Sequence, residues 1–186
     1  FVFQSFRLIP WLTVEGNVEF PLGESGLSAA ERRERVLAQL DVVGLSKFKD
    51  AYPDELSGGM KQRVAIARAL VSKPRVLLMD EPFASIDAQT RELMQSELIR
   101  IWGQQQSTVL FVTHSVDEAI VLSDRIVLMG PRPGRIVETV EVGIERPRVP
   151  DEVRMQPRYI ELRAHLSARM RELVLSDPQS DFYRPE

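Results

Sequence analysis

Cysteine is absent from the chain, and so is any excess of basic residues. The first absence excludes disulfide bonds, thiolate metal sites and cysteine nucleophiles. The 24 Lys and Arg residues face 27 Asp and Glu residues, which gives a formal net charge of −3. Proteins dedicated to nucleic acids normally carry a basic surface, so we expect no nucleic-acid partner.

Long hydrophobic runs are absent as well. The longest ones, such as Val76–Met79 and Thr108–Val112, fall far short of the roughly 18–20 apolar residues that cross a bilayer. We therefore expect a soluble intracellular protein, which can still dock on a membrane protein.

Short apolar runs alternate with segments of helical periodicity along the 186 residues, of which 44% are hydrophobic. Strands are predicted at 76–79, 108–113, 125–129 and 135–142, and helices near 28–43, 57–70, 88–104, 115–122 and 158–175. Such alternation favours an α/β fold with a mainly parallel sheet, whose strands are covered on both faces.

The same patterns divide the chain into four parts. Residues 1–4 are predicted to end a core strand, and residues 5–72 to form a helical subdomain. Residues 73–146 are predicted to form the α/β core. Residues 147–186 comprise a polar linker to Pro157, a last helix, and a tail from Ser176.

Polar residues follow three of the predicted strands directly. They are Gln4, the pair Asp80 and Glu81, and His114. Ligands of open α/β sheets bind outside the carboxyl ends of the strands, so these side chains are expected to converge on one crevice.

The two adjacent acids differ in the direction of their side chains and therefore in role. Asp80 suits Mg²⁺, which prefers carboxylate and water oxygens. Glu81 suits a general base that orients a water for attack. The alternative is a solvated acidic turn after a strand.

A glycine-rich helix start lies at residues 56–63, with the sequence LSGGMKQR. Gly58 and Gly59 leave backbone N–H groups uncovered, Ser57 adds a hydroxyl, and the helix dipole favours an anion such as phosphate. The alternative is a Ser cap followed by glycines that only make a tight turn.

These residues resemble the motifs of ABC ATPases, the nucleotide-binding subunits of ABC transporters. Residues 56–63 resemble the signature motif, Phe3 and Gln4 the Q-loop, and Val76–Glu81 the Walker B strand with its catalytic Glu. Residues 85–87 (SID) resemble the D-loop, and Thr113 with His114 the switch histidine. The five motifs occur in the family's order over residues 1–114.

The resemblance implies a P-loop NTPase-like fold with an inserted helical subdomain, and ATP and Mg²⁺ as cofactors. Glu81 would polarise the attacking water, and His114 would contact the γ-phosphate. Gln4 and Asp80 would hold Mg²⁺. The ATP-binding residues would be Gln4, Ser57, Gly58, Gly59, Gln62 and Asp87, and those of the signature and D-loop would act on the ATP of a second subunit.

Two further segments resemble importer ATPases of the nitrate, sulfonate and taurine group. They are residues 8–14 (LIPWLTV) and 130–136 (GPRPGRI). The resemblance implies a homodimer that works beneath a membrane permease at the cytoplasmic face of the inner membrane, with a solute-binding protein as an indirect partner. Trp11 is predicted to help dock the permease.

Two other functions stay open at this point. One is a non-transport ABC ATPase of DNA repair or translation, although only 53 positions separate Gln4 from Ser57, too few for a long coiled-coil insertion. The other is a fragment that only binds partners. No GxxxxGK[ST] phosphate loop occurs in the sequence, so we expect an N-terminally truncated chain that by itself neither hydrolyses ATP nor binds it with micromolar affinity.

Overall fold

The computed structural model describes residues 1–84, 86–105 and 107–177, and in them the chain separates into two units. The first runs from Phe1 to Val112, and the second begins at Thr113. Ser85 and residues 178–186, which belong to the predicted D-loop and tail, lie outside the described residues.

The described residues of the first unit form four α-helices and two strands. They are α1 (Val14–Glu19), α2 (Ala29–Val42), α3 (Gly58–Leu70), β1 (Val76–Asp80), α4 (Ala88–Gln105) and β2 (Thr108–Val112), with short 3₁₀ turns at Phe20–Leu22, Ser46–Phe48 and Pro53–Glu55. Along the described part of the chain, no helix combines the length and apolar content needed to cross a bilayer.

Capping residues set the starts of the long helices in this unit. Ser28 and Glu31 form the predicted capping box, in which each side chain accepts a hydrogen bond from the other's backbone N–H. Ser57 caps α3, and its Oγ accepts from the backbone N–H of Met60 at 3.3 Å.

Buried Asn17 organises the start of the helical subdomain. Its Oδ1 accepts from the backbone N–H of Ile9 at 2.8 Å, and its Nδ2 donates to the carbonyls of Ile9, Leu12 and Thr13. Every polar atom of this amide is therefore satisfied, and the loop before α1 has a fixed shape.

Strands β1 and β2 pair in parallel, in register from Val76 opposite Thr108 to Asp80 opposite Val112. On the other side of β1, Val2 forms a parallel bridge with Met79. This parallel pairing agrees with the predicted sheet.

The faces of this sheet differ from the prediction. In β1, Leu77 and Met79 are buried, whereas Val76 and Leu78 are 58% and 36% exposed. In β2, Leu110 and Val112 are 60% and 47% exposed. Only one face of the pair is covered by the described residues, although the side chains on both faces are apolar.

In the second unit, the residues up to 177 form a hairpin and three helices. They are α5 (Val116–Leu122), β3 (Arg125–Gly130), β4 (Arg135–Glu141), α6 (Pro150–Arg154) and α7 (Pro157–Ser176). The hairpin is antiparallel, as predicted, with a register shift between Leu128 and Met129. Helix α7 packs against α5.

The segment predicted as a polar linker contains α6 and a buried arginine. Arg148 is 4% exposed and donates to the carbonyls of Ser123 and Ile144, each at 2.6 Å. Because its guanidinium satisfies carbonyls near the end of α5, this segment packs as part of the unit.

Candidate functional site

Gln4 and Glu81 come together at the carboxyl end of β1. Gln4 Nε2 lies 3.3 Å from Glu81 Oε2, within hydrogen-bonding distance. Gln4 follows Val2 by two positions, and Glu81 follows Met79 by two positions. The bridge between Val2 and Met79 therefore brings Gln4 and Glu81 together. Two residues that are 77 positions apart in sequence thus share one strand edge.

Glu81 has an unusual backbone. Its φ is +43°, in the left-handed region that non-glycine residues rarely adopt. Its backbone N–H donates to the carbonyl of Val112 at 2.9 Å, which holds this conformation at the end of β2. Strained residues of this kind concentrate at functional sites.

Asp80 precedes it as the last residue of β1, with an exposed carboxylate. The backbone N–H of Asp80 donates to the carbonyl of Val2 at 2.9 Å, which places it beside the strand edge that carries Gln4. Among the described residues, no group of three or more His, Asp or Glu side chains could hold a metal ion. Gln4 and Asp80 can offer one amide oxygen and one carboxylate. This donor set fits Mg²⁺, which usually takes few protein ligands and keeps several waters.

The signature-like helix start meets the beginning of α4 through Gly59. A Cβ atom built on Gly59 would lie 2.7 Å from Cγ2 of Thr90, closer than real Cβ contacts come. The backbone N–H of Thr90 in turn donates to Asp87 Oδ1 at 3.0 Å. That hydrogen bond is the main reason why the pKa of the Asp87 carboxyl lies below its usual value. Gly59 and Asp87 are thus close neighbours.

The other signature residues divide between surface and core. Ser57 and Gly58 are exposed at the start of α3. Gln62 is fully buried, and its amide has no hydrogen-bond partner among the described residues. The side chain of Gln62 therefore lies on the core face of α3, and its predicted place in ATP binding stays a prediction.

His114 lies in the second unit, exposed in the turn between β2 and α5. Its two neighbours are held by the buried Glu118. Thr113 Oγ1 donates to Glu118 Oε2 at 2.6 Å, and Ser115 Oγ accepts from the backbone N–H of Glu118 at 3.3 Å. The convergence of His114 with Gln4 and Glu81 stays a prediction.

Helix α7 contacts the first turn of α5 at Asp117, a link that the sequence patterns did not indicate. Asp117 Oδ1 accepts from the Tyr159 hydroxyl at 2.5 Å and from Arg163 Nε at 2.7 Å. Burial and this hydrogen bond raise the pKa of Tyr159 to about 12. Burial alone would raise the pKa of Asp117, but the bonds from Tyr159 and Arg163 outweigh it and lower this pKa.

Comparison with known proteins gives a consistent result. The sequence matches the ABC transporter family over residues 1–84. It is 56% identical over 147 residues to an uncharacterized ABC transporter ATP-binding protein of Methanocaldococcus jannaschii, covering 79% of this chain and 55% of that protein. It is 51% identical over 143 residues to a nitrate import ATP-binding protein of Synechocystis, covering 77% of this chain and 54% of the relative. The chain thus spans little more than half the length of these relatives.

The fold resembles that of a solved ATP-binding cassette, described as dimeric and bound to ADP and Pi after hydrolysis. The TM-score is 0.63 at 38% sequence identity, over 75% of this chain and 61% of the other. This likeness confirms the predicted α/β fold of the P-loop NTPase type.

Proposed function

We propose that this chain, which belongs to the ABC transporter ATPase family, supplies part of the ATP-hydrolysing subunit of an importer for nitrate, a sulfonate, taurine or a similar small solute. The observation that carries the proposal is the pairing of Gln4 with Glu81 at 3.3 Å, at the carboxyl end of β1. Release of inorganic phosphate from Mg-ATP by the intact protein tests it, and an intact protein that releases none would contradict it.

Glu81 acts as the general base. Its carboxylate accepts a hydrogen bond from the Gln4 amide through one oxygen, which fixes the orientation of the group. The carboxylate can then orient a water and take its proton. The left-handed backbone of Glu81 keeps the side chain at this position.

Gln4 and Asp80 hold the metal. The Gln4 amide can donate to Glu81 through its nitrogen while its oxygen remains an acceptor for Mg²⁺. When bound, Mg-ATP supplies the terminal phosphate that the water attacks. His114, at the start of the second unit, contributes a donor to that phosphate.

The helix start at Ser57, Gly58 and Gly59 serves the ATP of a second copy of the subunit. Backbone N–H groups in the first turn of α3 and the Ser57 hydroxyl can donate to phosphate oxygens, and the helix dipole favours their negative charge. Thr90 contacts both Gly59 and Asp87, so Asp87 belongs to the same dimer surface.

A permease is the membrane partner, and the protein binds it at the cytoplasmic face of the membrane without spanning it. A solute-binding protein takes part only through that permease. The docking surface contains Trp11, which is 76% exposed in a loop whose shape Asn17 fixes. A large exposed aromatic side chain on a fixed loop suits contact with a helix of the partner.

Trp11→Ala is expected to weaken binding of the intact protein to its permease by about thirtyfold and to reduce its recovery accordingly, because aromatic anchors often contribute ~2 kcal/mol to an interface. Soluble ATP binding should not change. Co-purification from membranes measures the effect, and Met155→Ala, at a residue 74% exposed in the other unit, is the control. Equal recovery of the Trp11 variant and wild type would remove Trp11 from the docking surface.

Residues 1–186 by themselves are expected to bind Mg-ATP more weakly than micromolar and not to hydrolyse it. The sequence holds no GxxxxGK[ST] loop, whose backbone and lysine cradle the phosphates. Asp80 and Glu81 add negative charge where the triphosphate would lie. Calorimetric titration of the refolded polypeptide measures the affinity, and a saturable one-to-one site in the micromolar range would show that another cradle exists.

A further inference from the structure

The loop after Gln4 lies along helix α3 and contacts it twice. Near the start of the helix, the ring of Phe6 lies against Gly58, with Cζ 3.9 Å from where a Cβ of that glycine would be. From the last turn, Arg68 Nη1 donates to the carbonyl of Arg7 at 2.8 Å, and its Nη2 donates to the carbonyl of Phe6 at 3.1 Å. The loop is thus held at both ends of the helix whose first turn carries the signature glycines.

Arg68 is suited to this contact by its shape. Its planar fork can donate to two consecutive carbonyls at once, whereas a lysine ammonium at the end of a flexible stem has no such fixed geometry. The guanidinium is half-buried, and this burial lowers the pKa of Arg68. Withdrawn from water, the group depends on these carbonyls as acceptors.

The loop conformation is strained at Arg7, whose φ is +41°. A non-glycine residue adopts this region at a cost and persists there only where its surroundings hold it. The Arg7 side chain makes its contacts with nearby residues. Its Cζ lies 4.3 Å from the centre of the Phe3 ring, and its Nε donates to Ser5 Oγ at 3.4 Å. From outside the loop, Arg68 donates a hydrogen bond to the backbone carbonyl of Arg7.

We propose that Arg68 is a positioning residue that fastens the strained loop carrying Gln4 to helix α3 and thereby holds Gln4 beside Glu81. The loop and Glu81 are joined directly, because Gln4 Nε2 donates to Glu81 Oε2. The contact made by Arg68 in the last turn of α3 therefore reaches the general base through residues 4–7. The catalytic part of this inference rests on the proposed function, whereas the fastening of the loop does not.

A spin label tests the fastening without any nucleotide. The label is attached to Ser5→Cys, at an exposed loop position, in the intact protein with any cysteine outside these residues replaced; the chain itself has none. Arg68→Lys is expected to raise the mobile fraction of the EPR spectrum at least twofold, because lysine cannot hold both carbonyls. A label at Glu24→Cys, an exposed position outside the loop, should show no change. An unchanged spectrum at position 5 would overturn the proposal.

A second substitution separates positioning from general stabilisation. Asn tolerates left-handed backbone, so adding Arg7→Asn to Arg68→Lys should restore most of the lost order at position 5. Lys73→Asn is the matched control, because Lys73 also has a left-handed φ, of +50°, but lies outside the loop. Restoration by both substitutions alike, or by neither, would contradict the proposal. Arg7→Asn alone controls for the lost contact with Phe3.

ATP hydrolysis by the same variants tests the catalytic consequence. Arg68→Lys is expected to lower kcat by about tenfold and to leave KM for ATP within about twofold, because a misplaced group affects the reacting geometry more than binding. Arg7→Asn should restore kcat in parallel with the EPR spectrum. A loosened loop with unchanged kcat would overturn the positioning role. A wild-type protein without ATPase activity would instead refute the proposed function, and the spectra would still decide the fastening.

Discussion

Glu81→Gln in the intact protein is expected to bind Mg-ATP with unchanged affinity and to hydrolyse it about 10²–10⁴-fold more slowly than wild type. The two side chains have the same shape, but the amide cannot take a proton from water. Phosphate release under single-turnover conditions measures the chemical step, separately from product release.

Replacing Glu81 by Gln should change the chemistry of the site and leave the fold as it is. The residue occupies left-handed backbone, which Gln tolerates no better or worse than Glu, so the fold should be unaffected. The bound ATP should also hold two copies together, because Ser57 and Gly59 are proposed to reach the nucleotide of the partner. Size-exclusion chromatography with ATP should therefore show a dimer.

Glu24→Gln is the control, since Glu24 is an exposed residue of the helical subdomain. It makes the same chemical change away from the site and should leave the rate as it is. Wild-type turnover by the Glu81 variant would eliminate Glu81 as the base, whatever its motif suggests.

Gly59→Ala is expected to reduce ATP hydrolysis by about 10²-fold, because a displacement of about 1 Å at such a site can cost that much. The new methyl group would lie 2.7 Å from Cγ2 of Thr90. Thr90 is β-branched and stands in the first turn of α4, so it cannot move aside freely. The clash should separate the signature start from the turn that carries Asp87.

Thr90→Ser distinguishes the two possible causes of this loss. It removes the methyl group that clashes and keeps the hydroxyl beside Asp87, so the double variant should recover at least tenfold of the lost rate if the clash dominates. Gly103→Ala is the matched control, because a Cβ there would meet no atom of the described residues within 4 Å. A double variant as slow as Gly59→Ala would show that the substitution acts on the phosphate and not on α4.

Local sequence patterns predicted much of the secondary structure. The capping box at Ser28 and Glu31, the glycine-rich start of α3 and the apolar run of β1 each depend on residues within a few positions of one another. The five motifs also indicated the family whose model matches residues 1–84, because their order along the chain is specific. The positions of Gln4 and Glu81 followed from strand ends, which meet at one edge in any parallel sheet.

Contacts between distant residues could not be predicted in this way. Gly59 approaches Thr90, which is 31 positions away in the sequence, and Arg68 donates to Arg7, which is 61 positions away. Neither Thr90 nor Arg7 belongs to a recognisable motif. Arg148 was assigned to a polar linker because charged residues are usually exposed, yet its guanidinium is buried among carbonyls. Such residues become visible only when the acceptors around them are known.

The uncovered apolar face of β1 and β2 makes the solubility of this polypeptide depend on the salt concentration. Val76, Leu78, Leu110 and Val112 form an aliphatic strip in contact with water, and a net charge of −3 offers little repulsion between copies. Salts such as sulfate strengthen the hydrophobic effect and screen the charge at the same time. Raising the sulfate concentration should therefore make the strips of different copies associate, so that the polypeptide aggregates and its solution becomes turbid. In a buffer of low ionic strength the polypeptide should stay soluble for longer.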